Sequence, residues 1–266
     1  MYQNVIVPFD GSLPARAVLA PAADLAWRCG ARVVIVNITE ASDRASKAAL
    51  KSKAMSMSGS DVDFWVDLQN DLATALIEAA KHRADPIIAI PIRTKPTGLL
   101  RRQTLGAMPA KVLIHSPVPV LVIGPSTDVS RGLPMTEIVV ALDGSPQSEH
   151  VLPLAVQWAR ELKLALILVG VVREGTGGVE AHTAELRYLQ ERAEAIRPEV
   201  PSATFELIEA ADPAAGLCGF LADHDDAVIA MSTHGRSGVD PHPLGSVAQG
   251  VLLGSPRAML FVRPPA

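Results

Sequence analysis

The chain has 266 residues, of which 48% are hydrophobic and only 4% aromatic, with a formal net charge of −4. That length suits one large or two modest domains built around an aliphatic core. The acidic balance, without a basic block, argues against nucleic acid as a partner, and the longest apolar runs, such as Leu164–Val172, fall well short of a membrane span.

Asn4–Phe9 reads as a strand ending at Asp10-Gly11-Ser12. The segment before it has neither a basic start nor a cleavage pattern, so no signal peptide is expected and the protein is placed in the cytoplasm. Over Pro14–Trp27 the spacing of Val18, Leu19, Ala22, Leu25 and Ala26 predicts a helix that Gly30 ends. Val33–Ile38 is a second strand. Residues 41–60, rich in Ser, Lys and Met, read as a loose helix or loop. Val62–Val66 alternates as a third strand. Asp71 caps a helix through Ala80. Pro86–Ile92 is a fourth strand, Ala107–Ile114 a helix and Pro119–Ile123 a fifth strand.

The pattern then begins again. Ile138–Leu142 runs into Asp143-Gly144-Ser145 as the first strand ran into Asp10-Gly11-Ser12. Leu152, Ala155 and Ala159 repeat Leu19, Ala22 and Ala26. Asp212-Pro213-Ala214-Ala215-Gly216 repeats Asp71-Leu72-Ala73-Thr74-Ala75, and Ser255-Pro256 repeats Ser116-Pro117. A register recurring over half the chain marks an internal duplication. The Pro-, Gly- and Ser-rich stretch 124–134 links domains at 1–126 and 135–266. Alternating strands and helices predict an α/β fold with an open parallel sheet in each half. Ligands bind such sheets beyond the carboxyl ends of the strands, where strand order reverses.

The stretch Ala227–Ser246 carries the strongest functional signal. An apolar strand, Ala227–Met231, breaks into Ser232-Thr233-His234-Gly235, and Gly245-Ser246 opens a helix. Glycines admit a ligand close to the backbone, and a helix start offers unpaired N–H groups to a phosphate. Asp143 reads either as a ligand residue or as the cap of the helix that follows it. His234 is weighed as a general base, but no nucleophile, paired carboxylate or metal cluster accompanies it in the pattern. His224 with Asp223, Asp225 and Asp226 reads as a helix end, because consecutive residues cannot all converge on one ion. Cys29 and Cys218 read as buried thiols, and Trp27, Trp65 and Trp158 as core.

These residues resemble the universal stress protein family over essentially the whole chain, as two tandem copies. The family's nucleotide signature is Gly, two residues, Gly, nine residues, Gly, then Ser or Thr. Here Ser232 stands for the first Gly, and Gly235, Gly245 and Ser246 keep the spacing. The resemblance implies two tandem Rossmann-like domains of the adenine nucleotide α-hydrolase-like type. Each would have a five-stranded parallel sheet in the order 3-2-1-4-5, and the halves would pair through their fifth strands as an internal pseudo-dimer. It implies an ATP site in the second domain, with or without Mg²⁺, made by Ala141, Asp143, Val171, Met231, Ser232, Gly235, Gly245, Ser246 and Val247. In that site Asp143 and Val171 face the ribose and base, and Gly245, Ser246 and Val247 the phosphates. Ala141 departs from the family's usual Pro, and Pro241 and Pro243 flank His242 inside the signature. In the first domain Pro91-Ile92-Arg93-Thr94 replaces the signature's opening and Ala107 its hydroxyl residue, so no ATP is expected there. Arg93, Lys95, Arg101 and Arg102 read as a solvated loop. The implied role is a nucleotide-binding sensor or regulator in the stress response, with an unidentified protein partner and at most slow, incidental hydrolysis. A nucleotide-free interaction module and a slow ATP hydrolase are the alternatives.

Overall fold

The computed structural model describes residues 1–9, 13–37, 61–66, 70–92, 95–97, 102–130, 132–175, 178–235 and 244–264. The chain divides into two compact units, Met1–Leu133 and Pro134–Ala266.

The first unit contains strands β1 (Asn4–Pro8), β2 (Arg32–Asn37), β3 (Val62–Val66) and β4 (Pro86–Pro91), a short antiparallel pair β5 (Lys95–Thr97) and β6 (Arg102–Thr104), and β7 (Val120–Ile123). Helices α1 (Leu13–Cys29), α2 (Leu72–Lys81) and α3 (Ala107–His115) connect them. The five main strands are parallel in the order β3-β2-β1-β4-β7. Val/Ile runs such as Asn4–Pro8 and Val120–Ile123 are buried throughout, as a sheet covered on both faces requires. Asp71 caps α2 by accepting from the backbone N–H groups of Ala73 and Thr74. Asp24 holds the end of the linker, accepting from Leu133 N–H at 2.7 Å.

The second unit repeats the plan. Its strands are β8 (Glu137–Ala141), β9 (Ala165–Arg173), β10 (Thr204–Ala210), β11 (Ala227–Ser232) and β12 (Met259–Val262), parallel in the order β10-β9-β8-β11-β12. Its helices are α4 (Pro146–Glu149), α5 (Leu152–Leu162), α6 (Gly178–Ile196), α7 (Pro213–Ala222) and α8 (Ser246–Gly254). Both sheets therefore have the expected 3-2-1-4-5 order. Trp158, on α5, is fully buried, and Asp212 caps α7 through Ala214 and Ala215 as Asp71 caps α2.

Two expectations fail. Trp27 is not core: it is 79% exposed, in the last turn of α1 beyond the buried stripe of Val18, Leu19, Ala22, Leu25 and Ala26. Trp65 is only half-buried, stacked on His82 with ring centroids 5.7 Å apart. Nor are the two thiols fully buried; Cys29 and Cys218 are both half-buried and free. Burial pushes the Cys218 thiol above its ordinary pKa, which disfavours the reactive thiolate. The Asp10-Gly11-Ser12 turn, residues 41–60, Arg93 and Arg101 lie outside the described residues, and Lys95 and Arg102 fall in the β5–β6 pair.

Candidate functional site

In the second unit β8 and β11 are neighbours, registered from Glu137↔Ala227 to Val140↔Ala230. The strands that follow them lie on opposite sides, β9 beside β8 and β12 beside β11. Such a reversal leaves a crevice at the carboxyl ends of the two central strands. A cavity of about 500 Å³ occupies it, a size that suits a small-molecule ligand. All nine residues singled out from the sequence line it: Ala141, Asp143, Val171, Met231, Ser232, Gly235, Gly245, Ser246 and Val247.

The turn after β8 is held by its own side chains. Asp143 Oδ1 accepts from Ser145 N–H at 3.0 Å and from the Ser145 hydroxyl at 2.6 Å. Ser145 Oγ in turn accepts from Ser148 N–H at 3.1 Å. Ser148 Oγ accepts from Asp143 N–H at 3.3 Å and donates to Ser145 O at 2.9 Å. The N-cap of α4 is thus Ser145, not Asp143 as one reading of the sequence had it. An aspartate two residues ahead of the cap closes an Asx turn instead. One carboxylate oxygen is engaged in that turn, and the other lies against the backbone of Gly235. A Cβ built on Gly235 would overlap Asp143 Oδ2 and stand 3.2 Å from Cγ. Gly235 is there because the loop after β11 passes directly over the carboxylate.

Ser232 is the last residue of β11 and 5% exposed; its hydroxyl donates to Gln147 O at 2.6 Å, tying the signature loop to α4. Extended backbone accepts any residue, so a Ser in place of the signature's first Gly strains nothing. His234 Nδ1 lies 3.0 Å from Thr233 Oγ1. Gly245 precedes α8 and donates its N–H to Thr233 O at 2.9 Å, so the strand end and the helix start are pinned together. Among the described residues no side chain caps α8. Its first N–H groups, at Ser246, Val247 and Ala248, have no acceptor within the helix and lie at the cavity wall. The helix dipole places its positive end at the same point.

The cavity also has walls that the sequence pattern does not mark. They are Leu142, Ser148, Val169, Val172 and Arg173 near β8 and β9, Ala181 and Glu185 on α6, and Pro213 and Leu217 on α7. Pro213 and Leu217 fall just after the capping Asp212, a repeat already visible in the sequence. Nothing in the sequence signals Ala181 or Glu185, because α6 reaches the site only through the tertiary fold. The segment 236–243, with Pro241, His242 and Pro243, lies outside the described residues.

The acidic run 223–226 is structural. His224 Nδ1 lies 2.6 Å from Glu137 Oε2, and its ring stacks on Phe220 with centroids 4.3 Å apart. Asp223 is the C-cap of α7, and Asp225 pairs with Arg257. Among the described residues no three His, Cys, Asp or Glu side chains converge as a metal site, and no helix is long and apolar enough to cross a membrane. In the first unit Pro91, with no N–H to offer, ends β4, and Ala107 opens α3 behind Gly106.

Comparison with known proteins agrees with this fold. A universal stress protein from Archaeoglobus fulgidus DSM 4304 is 20% identical, covers 99% of each chain and superposes with a TM-score of 0.70. A putative universal stress protein from Pseudomonas aeruginosa UCBPP-PA14 is 18% identical over 99% of this chain and 94% of its own, with a TM-score of 0.65. A shorter universal stress protein from Archaeoglobus fulgidus, solved in complex with dAMP, is 26% identical over 48% of this chain and 98% of its own, with a TM-score of 0.40. No curated protein matches the sequence. The universal stress protein family model matches residues 1–82 and 135–263. The chain, with its repeated five-stranded sheet, belongs to the universal stress protein family.

Proposed function

We propose that this protein binds ATP in the cavity of its second unit and acts in the cytoplasm as a nucleotide-responsive regulator of a protein partner, not as a dedicated catalyst. The observation that carries this reading is the convergence of three parts on one cavity: the Asp143 turn, the bare backbone of Gly235 and the uncapped start of α8. The α8 start supplies N–H donors and a favourable dipole for phosphate oxygens. Ser246 adds a hydroxyl at the same place. The Asp143 carboxylate, which lines the cavity, supplies an acceptor for ribose hydroxyls. Val171, Pro213 and Leu217 supply apolar walls for a base. A divalent ion such as Mg²⁺ would be held chiefly by the phosphates, as it usually is on nucleotides. With His234 turned to Thr233, the site is read as one that holds a nucleotide without cleaving it. In the first unit, Pro91 and Ala107 take the places of a donor and a hydroxyl, and no nucleotide is assigned there.

The test is thermal denaturation with and without ATP. A ligand present at 100 times its dissociation constant stabilises the fold by about 2.7 kcal/mol, a shift of several degrees. Ser246 is exposed at the helix start, so Ser246→Glu should fold normally while setting a carboxylate where phosphate would sit. The wild type should melt higher with ATP, and the variant should not respond. A wild type that ATP leaves unmoved, or an equal shift in both proteins, overturns the assignment.

A further inference from the structure

The cavity extends beyond the residues that the family signature predicts. Its wall also takes in the end of β9 and the first turns of α6, and there a carboxylate, Glu185, forms part of it. Among the lining residues it is the only acidic side chain apart from Asp143. The Glu185 side chain turns in over the sheet: a Cβ built on Gly170, in the middle of β9, would lie 3.5 Å from Glu185 Oε1. A Cβ at residue 170 would press on Leu189 at 2.9 Å and Leu207 at 3.2 Å, so glycine there lets α6 pack close over β9. The rest of this end of the cavity is mostly apolar, with Val172, Ala181, Pro213 and Leu217 as walls and Arg173 at the exposed rim.

The helix that carries Glu185 is fastened to the same turn that holds Asp143. One turn further along α6, the Tyr188 hydroxyl donates to Glu149 Oε1 at 2.9 Å. Arg192 approaches Glu149 Oε2 at 3.6 Å and lies 5.8 Å from the Tyr188 ring centroid. Glu149 belongs to α4, whose cap Ser145 is bonded to Asp143. The two carboxylates of the cavity wall, Glu185 and Asp143, are therefore set by one connected frame.

A carboxylate offers acceptors and no donors. We infer that Glu185 reads the base of the bound nucleotide, favouring a purine whose 6-position carries an amino group over one whose 6-position is a carbonyl. The inference rests on the nucleotide reading above. With phosphates at the α8 start, the base points toward β9 and α6. An amino group there donates to Glu185. A carbonyl there faces another acceptor, and a polar pair that cannot form in a largely apolar pocket is penalised.

The experiment compares dissociation constants of ATP and ITP, which differ at the purine 6-position and in the N1 proton that accompanies its carbonyl, by calorimetry on the full chain. The wild type should prefer ATP on the order of tenfold, since a hydrogen bond to a charged group commonly has that weight. Glu185→Gln has nearly the same shape and an amide that can donate or accept, so it should bind both within about threefold of each other. Glu185→Ala should weaken ATP and tighten ITP, since both the hydrogen bond and the opposing acceptor are gone. ATP binding with the same ATP-to-ITP ratio in wild type and Glu185→Gln overturns the role of Glu185 and leaves the nucleotide site standing. Binding of neither nucleotide to the wild type overturns both.

Discussion

The contact between Gly235 and Asp143 can be tested with one methyl group. In Gly235→Ala the new Cβ overlaps Asp143 Oδ2 and comes within 3.2 Å of Cγ. Asp143 cannot simply swing aside, because its other oxygen holds Ser145 through two hydrogen bonds, at 3.0 and 2.6 Å. Rotating the carboxylate gives up bonds of about 1 kcal/mol each, and moving the backbone of an already packed loop costs about 1–3 kcal/mol. The expected loss is therefore about 1–3 kcal/mol in the ligand-free protein. For a unit of this size that is a fall of roughly 3–12 °C in the transition followed by scanning calorimetry. Gly245→Ala is the control. Among the described residues its Cβ would meet nothing nearer than Thr233 O at 3.6 Å, and its φ of −59° is open to alanine, so its transition should stay within about 1 °C of wild type. In an Asp143→Ala background the cost of Gly235→Ala should largely vanish, since neighbouring substitutions couple. A Gly235→Ala protein that melts with the wild type, or a Gly245→Ala protein that falls as far, would refute the reasoning.

Two further outcomes concern the frame. A hydrogen bond from Lys111 holds the Asp71 carboxyl well below the ordinary 3.8, at about 2. A carboxylate with a depressed pKa stabilises the fold above its ordinary value and ceases to do so as pH falls toward the folded one. Asp71→Asn should therefore lose less stability than wild type between pH 3.8 and about 2, as followed by circular dichroism. Tyr188→Phe removes the hydroxyl that binds Glu149; it should cost about 1 kcal/mol in denaturant unfolding and loosen α6, seen as faster amide exchange near Glu185.

Much of this architecture is legible in the sequence because it rests on local physics. Val/Ile runs announce buried parallel strands, Asp71 and Asp212 announce helix starts, and the recurrence of Asp-Gly-Ser announces the second copy. The site is legible where it follows strand ends: Asp143 and Gly235 meet because β8 and β11 adjoin. The β5–β6 pair escapes notice because Lys95–Thr97 and Arg102–Thr104 carry no apolar alternation. Trp27 misleads because an aromatic near a helical stripe reads as core, whereas the last turn of α1 leaves it in solvent. Glu185 is invisible because its place depends on where α6 crosses the sheet and on Gly170 leaving room for Leu189 of that helix, neither of which a local pattern encodes.

Of the three tryptophans in the chain, Trp27 and Trp65 belong to the first unit, and Trp158 alone belongs to the second. Trp158 is shielded completely from solvent, while Trp27 is bathed in it. The chain thus comes with its own colour code. The bluer part of its fluorescence originates in the second unit, and a red shift confined to that component would signal the opening of that unit without any added dye.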